Sequence, residues 1–201
     1  MCNLYRLKTG TGEVAALFSV TDNAASANFP GEIYPGHPGL VIAAGALRGM
    51  TWGFPLAQKS KVTGKPLKLK PVNNTRADKL GSFFWRYSFA ERRCLIPVEA
   101  FAEAEGPRGA KTRTWISRPE AKVFACAGIW RDTEEWGAAF SMVMTDASAE
   151  VEPVHDRMPV ILAPEHYRTW VEAPPEEALE LCQPYSGPLA LERTDEPWVR
   201  R

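Results

Sequence analysis

The sequence predicts an α+β domain with a mostly antiparallel, barrel-like β core and flanking short helices. Seventeen prolines and fifteen glycines cut the chain into apolar runs of strand length, too short for long helices. The 201 residues, 45% of them hydrophobic, suffice for one sizeable core. No repeat, low-complexity tract or linker divides the chain, so residues 1–201 are expected to form a single domain.

Taken in order, strands are expected at 2–7, 39–44, 94–97, 114–117, 123–130, 139–145 and 159–162, where apolar and β-branched residues cluster between turn formers. The run from Cys94 to Glu103 reads as an apolar strand with carboxylates at its end; if extended, Glu99, Phe101 and Glu103 share one side. A helix is expected over 78–89 after the turn at Asn73 and Asn74, with a short turn at 147–151. Pro164 followed by Glu165 opens a helix over 164–171, and 176–181 forms a second, acidic one. Segments 58–71 and 103–112 read as exposed polar loops.

Composition narrows the function classes. There is no basic and apolar leader, and the longest apolar stretches, such as 41–47, fall far short of a membrane span. The expectation is a cytoplasmic protein that does not enter membranes. Cys2, Cys94, Cys126 and Cys182 are widely spaced, without a CxxC pair or adjacent histidine, so neither zinc nor a disulfide framework is expected. Cys94 and Cys126 sit in apolar runs that read as core.

A formal net charge of zero hides an asymmetry. Residues 48–118 hold 15 Lys/Arg against 5 Asp/Glu, which leaves 9 against 19 elsewhere. This basic middle is interleaved with Trp52, Phe83, Phe84, Trp85 and Tyr87. It matches either a single-stranded nucleic-acid groove, with cations for phosphates and rings for bases, or a solvated basic face over a buried aromatic cluster.

Cys2 carries the most specific chemistry. Once the initiator Met is trimmed, it presents an α-amine and a thiol on adjacent carbons. The amine, with a pKa of about 7.7–8.0, forms an imine with an aldehyde, and the sulfur then closes a five-membered thiazolidine. Three other segments place polar groups in suggestive contexts: Asn73-Asn74-Thr75-Arg76 in a turn, Glu103 at a strand end, and His155 ahead of an apolar strand.

The same segments carry a family resemblance. Met-Cys-Asn-Leu-Tyr at the start, Trp-Gly-Phe-Pro at 52–55, Asn-Thr-Arg at 74–76 and Arg-Cys-Leu-Ile-Pro with Phe-x-Glu at 93–103 are followed by Ala-Gly-Ile-Trp at 127–130 and His-Asp-Arg-Met-Pro-Val-Ile-Leu at 155–162. In this order they resemble the SOS-response-associated peptidase (SRAP) family over residues 2–163, with 164–201 an acidic extension packed on the domain as a solvated surface. The resemblance implies a barrel-like α+β domain that binds single-stranded DNA containing an abasic site and captures the sugar aldehyde as a thiazolidine, in the DNA damage response.

Carried over by motif, it makes Cys2 the nucleophile and Asn74 the group that orients the aminothiol or the sugar. Glu103 becomes the acid/base near the amine, and His155 helps open the sugar ring. Arg76 and Arg157 would bind flanking phosphates, with Arg86 a further candidate. Trp52 would line the site, stack on a base or fill the core. No metal or organic cofactor is implied, and a monomer is expected, nucleoid-associated when bound to damaged DNA.

The chain departs from the family pattern at Asn3 and Leu4, where Gly-Arg is usual, at 31–35, and at Ala104, where an aromatic is usual. These departures bear on the path of the DNA and leave the Cys2, Asn74, Arg76, Glu103 and His155 set intact. Two other activities fit parts of the pattern. One is a cysteine peptidase, with Cys2 removing Met1; the other is a non-catalytic single-stranded DNA-binding module using the basic aromatic middle alone.

Overall fold

In a computed structural model, which describes residues 2–25 and 28–198, the chain folds around a closed barrel with a second sheet laid against it. The first half contains β1 (Tyr5–Arg6), α1 (Thr11–Leu17), β2 (Thr21–Asp22), β3 (Glu32–Ile33), β4 (Pro38–Ala43), β5 (Ala46–Trp52), β6 (Phe54–Leu56), β7 (Lys70–Val72), β8 (Asn74–Arg76) and α2 (Arg86–Glu91). The second half contains β9 (Arg93–Val98), β10 (Ala100–Glu105), β11 (Thr112–Ser117), β12 (Phe124–Thr133), β13 (Gly137–Asp146), β14 (Arg157–Pro159), β15 (Ile161–Leu162), α3 (Tyr167–Glu172), α4 (Pro175–Glu180) and β16 (Ala190–Pro197).

The barrel runs β13-β12-β9-β4-β5 through antiparallel neighbours. It closes where β5 lies parallel to β13, with Thr51 opposite Ala139 and Trp52 opposite Phe140. Closure removes the unpaired edges an open sheet would present. The strands β9, β12 and β13 read as near-continuous apolar runs because they are buried by the barrel interior on one side and by the second sheet or the helices on the other. On the rim, β8 pairs parallel to β13 and β14 pairs antiparallel to its far end, so Asn74 lies opposite Met142 and Arg157 opposite Asp146.

The second sheet has the order β16-β11-β10-β1-β3. The expected single strand over 94–103 is in fact two, β9 in the barrel and β10 in the second sheet. Glu99 makes the corner: its Oε1 accepts the backbone N–H groups of Lys8 and Thr9 at 3.0 and 2.8 Å and the Thr9 hydroxyl at 2.7 Å. Glu99 is thereby taken off the side it was expected to share with Phe101 and Glu103. Alternation along β10 sends Phe101 and Glu103 towards the barrel and Ala100 and Ala102 to a smaller cluster with Leu4 and Trp115.

Two other expectations need correction. The helix over 78–89 is replaced by a single 3-10 turn (Ala77–Lys79) and the six-residue α2, because Gly81 and Ser82 interrupt the run and Phe84 and Trp85 turn inward to pack with Phe54. The region after 164 is not merely a solvated surface. Trp170 of α3 is fully buried and its indole N–H donates to the Cys94 carbonyl at 2.9 Å, while β16 forms an edge of the second sheet.

Candidate active site

Cys2 lies at the head of β1, buried against the barrel. Its carbonyl oxygen accepts two side-chain amides, Asn74 Nδ2 at 2.6 Å and Asn73 Nδ2 at 3.0 Å, and Asn73 Nδ2 also reaches Asn3 Oδ1 at 3.2 Å. The asparagine pair is itself fixed. The Asn73 carbonyl accepts the Trp52 indole N–H and the Met142 backbone N–H, both at 2.9 Å, and Asn74 is held in the β8–β13 ladder. A line of hydrogen bonds thus runs from the barrel wall to the first residues of the chain.

Trp52 is fully buried, its ring met edge-on by Tyr5 at 4.9 Å and stacked with Phe140 at 6.4 Å. The ring is core, the last of the roles expected for it, and its indole N–H positions Asn73. The side chain of Cys2 points inward, with Sγ 3.5 Å from the Leu4 carbonyl. Burial first, and the Glu103 carboxylate next, push its thiol well above the ordinary range. Removal of Met1 concerns a residue outside those described.

Glu103 stands opposite Thr114 on β11. Continuing the β1–β10 register from Tyr5 opposite Phe101 puts Asn3 opposite Glu103, which brings the carboxyl to the first residues of the chain. Burial pushes its pKa up to about 7, because the charged form has lost its water. His155, in the turn before β14, is half-buried, and burial lowers its pKa. Its Nδ1 accepts the Arg157 backbone N–H at 3.0 Å, which an unprotonated nitrogen alone can do, so the neutral ring carries its proton on Nε2. Asp156 Oδ1, 2.9 Å from the same Nδ1, offers the alternative partner on protonation. Asp156 and Lys111 act electrostatically on both Glu103 and His155, which therefore share one environment.

Arg76 and Arg157 line a common cleft of about 290 Å3 with Asp78, Thr145 and Asp146. Each guanidinium is engaged by a carboxylate: Arg76 with Asp78 through two bonds of 2.8 and 2.7 Å, Arg157 with Asp146 at 3.0 Å. A phosphate binding here would compete with those exposed carboxylates. Arg86 lies elsewhere, over the exposed rings of Phe83 and Tyr87, beside a separate cleft lined by Phe84, Arg92 and Arg131. Sequence reasoning missed Asn73 as a partner of Cys2, and it missed Lys111, whose Nζ donates to the Ala104 carbonyl at 3.4 Å beside Glu103. The Asn73-Asn74 doublet was the available signal for the first; nothing in the loop around Lys111 pointed to the second.

The family model described as SOS response associated peptidase (SRAP) matches residues 1–195. The chain belongs to the SRAP family. It is 29% identical over 150 residues to the abasic site processing protein YoqW of Bacillus subtilis, the match spanning 69% of this chain and 64% of that protein. Against the abasic site processing protein YMR114C of Saccharomyces cerevisiae it is 25% identical over 148 residues, spanning 69% of this chain and 40% of that one. The matches therefore span less than two thirds of these relatives.

The fold is shared with a protein from Bordetella bronchiseptica (TM-score 0.80, 22% identity, covering 96% of this chain and 99% of that one). It is shared also with one from Bacteroides thetaiotaomicron (TM-score 0.79, 19% identity, covering 96% and 91%). The SRAP motifs have physical reasons here. In Trp-Gly-Phe-Pro, Trp52 and Phe54 are core, and Gly53 sits at a φ of +118° where a Cβ would lie 2.5 Å from the Pro71 side chain.

Proposed function

We propose that this SRAP chain processes abasic sites in single-stranded DNA by covalent capture, with the α-amine and thiol of Cys2, freed by loss of Met1, as the reacting pair. The observation that carries this reading is the double carboxamide grip on the Cys2 carbonyl beside a buried carboxyl whose pKa is raised to about 7. A nucleophile fixed by its own main chain is positioned for attack before substrate arrives.

The abasic sugar rests mostly as a closed hemiacetal. Protonated Glu103, or the Nε2–H of His155, would deliver a proton to the ring oxygen while the C1′ hydroxyl gives its own proton back to that group, which opens the aldehyde and leaves the donor protonated for the next step. The neutral amine attacks C1′, and the carbinolamine loses water with a proton from Glu103 to give the imine. Sulfur then adds to C1′, its proton passing to the carboxylate or to water. Against the open aldehyde, the balance is one water lost. The amine-first order suits a thiol whose burial keeps it protonated until it turns towards the imine, and it disfavours thiolate-led peptidase chemistry at the same residue. Arg76 and Arg157 are proposed to take the flanking phosphates, exchanging Asp78 and Asp146 for them.

The test is intact mass before and after incubation with a single-stranded oligonucleotide carrying one abasic site. A protein lacking Met1 should gain the oligonucleotide mass less one water and survive denaturation. Cys2→Ala, which keeps an amine but no thiol, should leave only an imine that is lost unless reduced. No adduct from a chain with a free Cys2 terminus would sink the proposal.

A further inference from the structure

We propose that the hairpin arm between β6 and β7, residues 57–69 with Lys70, is a second DNA-binding element that holds the phosphodiester backbone of the strand leading to the lesion. The proposal rests on reading the Cys2 site as one for single-stranded DNA.

Residues 58–71 contain Lys59, Lys61, Lys65, Lys68 and Lys70 and no Asp or Glu. All five lysines are exposed. Elsewhere Lys79 and Lys122 pair with Asp78 and Glu13, whereas none of these five forms an ion pair among the described residues.

The arm is exposed, as expected of this polar segment, and is also hydrogen-bonded within itself. Lys59 bridges Pro66 antiparallel to it, Leu67 N–H donates to the Gln58 carbonyl, and Ser60 N–H donates to that of Lys65, each of the two bonds 2.8 Å long. The tip is closed by Ser60 Oγ, which accepts the N–H groups of Val62 and Thr63 at 3.3 and 3.1 Å. Holding five like charges on one short ladder opposes folding through their mutual repulsion, which a bound polyanion relieves.

Position decides between polyanions. The returning strand β7 continues into Asn73 and Asn74, so Lys70 stands four residues, about 13 Å of extended chain, from the amide that grips Cys2. A strand threaded to the site passes the base of the arm. Val62 and Leu67, 94% and 51% exposed, present apolar surface between the cations, against which unstacked bases can pack. An anionic lipid surface would also accept lysines around an apolar tip, but it gives no reason for the arm to end at the Cys2 site.

The experiment compares the full chain with a variant carrying K59Q, K61Q, K65Q and K68Q, whose substituted side chains make no hydrogen bond among the described residues. Binding of an undamaged single-stranded oligonucleotide is followed by fluorescence anisotropy between about 50 and about 200 mM salt. The plot of log affinity against log salt should become shallower by about 2 to 3, at about 0.7 per lost phosphate contact, with about tenfold or more weaker binding at low salt. An unchanged slope overturns the proposal. So does a variant that loses binding to phosphatidylserine vesicles while its DNA slope stays the same.

Adduct formation with an abasic oligonucleotide, run alongside, separates this proposal from the one it rests on. Adduct from the parent chain with an unchanged variant slope refutes the arm alone. A shallower variant slope with no adduct from the parent supports the arm and refutes the covalent reading.

Discussion

At the residue scale, the raised pKa of Glu103 links stability to activity. Its folded value of about 7 lies above the ordinary 4.5, so its contribution to stability is fully present below about pH 4.5 and is lost as pH rises through 7. Glu103→Gln removes the buried charge. The variant should be more stable than the parent at pH 8 by up to about 3 kcal/mol, and by under about 1 kcal/mol at pH 5. Urea melts at the two pH values read this directly, and equal differences would place the Glu103 carboxyl in water. The same variant should slow adduct formation by about 100-fold or more, as loss of a general acid does. In the parent, the rate should fall on both sides of neutrality, below where the amine is protonated and above where Glu103 ionises. Cys2 was legible in the sequence as a chain terminus, and Glu103 through the family resemblance, since a carboxylate at such a position is by itself more often exposed. The burial that tunes both was not, since it depends on β11 and the barrel closing over them.

At the element scale, the Asn73-Asn74 grip depends on how β6 and β7 return the chain to the barrel, and that return turns on Gly53. Its φ of +118° and the closeness of Pro71 leave no room for a side chain, while its N–H donates to the Phe140 carbonyl at 2.7 Å. Gly53→Ala should cost about 1–3 kcal/mol of backbone strain plus displacement of Pro71. In a chain of this length that lowers Tm by roughly 2–4 °C per kcal/mol, measured by thermal melting. A Tm within about 1 °C of the parent would show that the turn relaxes freely. The long apolar strands β4, β9, β12 and β13 were legible from composition. The short strands β7, β8 and β14 were not read as separate strands, because they hold only three residues each and are defined by pairing, β7 to β6, and β8 and β14 to β13. The helix expected over 78–89 failed for a related reason, as the inward packing of Phe84 and Trp85 overrode a local pattern.

At the scale of the whole molecule, the barrel and the second sheet meet where Phe101, Ile116 and Tyr5 enter the main core, and Glu103 faces the same interior. The second sheet is held from its far side by Arg113 of β11, buried, whose Nη1 lies 3.1 Å from Glu32 of β3 and 3.0 Å from Glu196 of β16. Those two strands are the opposite edges of the sheet, so a single guanidinium ties both edges to its middle. The acidic end of the chain, without a role in the sequence, supplies one of those carboxylates and the strand that covers β11. Ending the chain at residue 189 should therefore leave a buried arginine with one carboxylate fewer and expose the β11 edge, a template for pairing between chains. The truncated protein should aggregate on size-exclusion chromatography and form no abasic-site adduct, because Glu103 stands one strand in from the uncovered edge. A truncated chain that stayed monodisperse and kept its adduct rate would mean that β16 decorates the sheet without holding the site. Arg113→Ala in the full chain isolates the electrostatic part. Removing one partner of such a buried cluster costs about 3–5 kcal/mol, which the partial exposure of Glu196 should reduce, and Arg113→Met should recover much of it by refilling the volume.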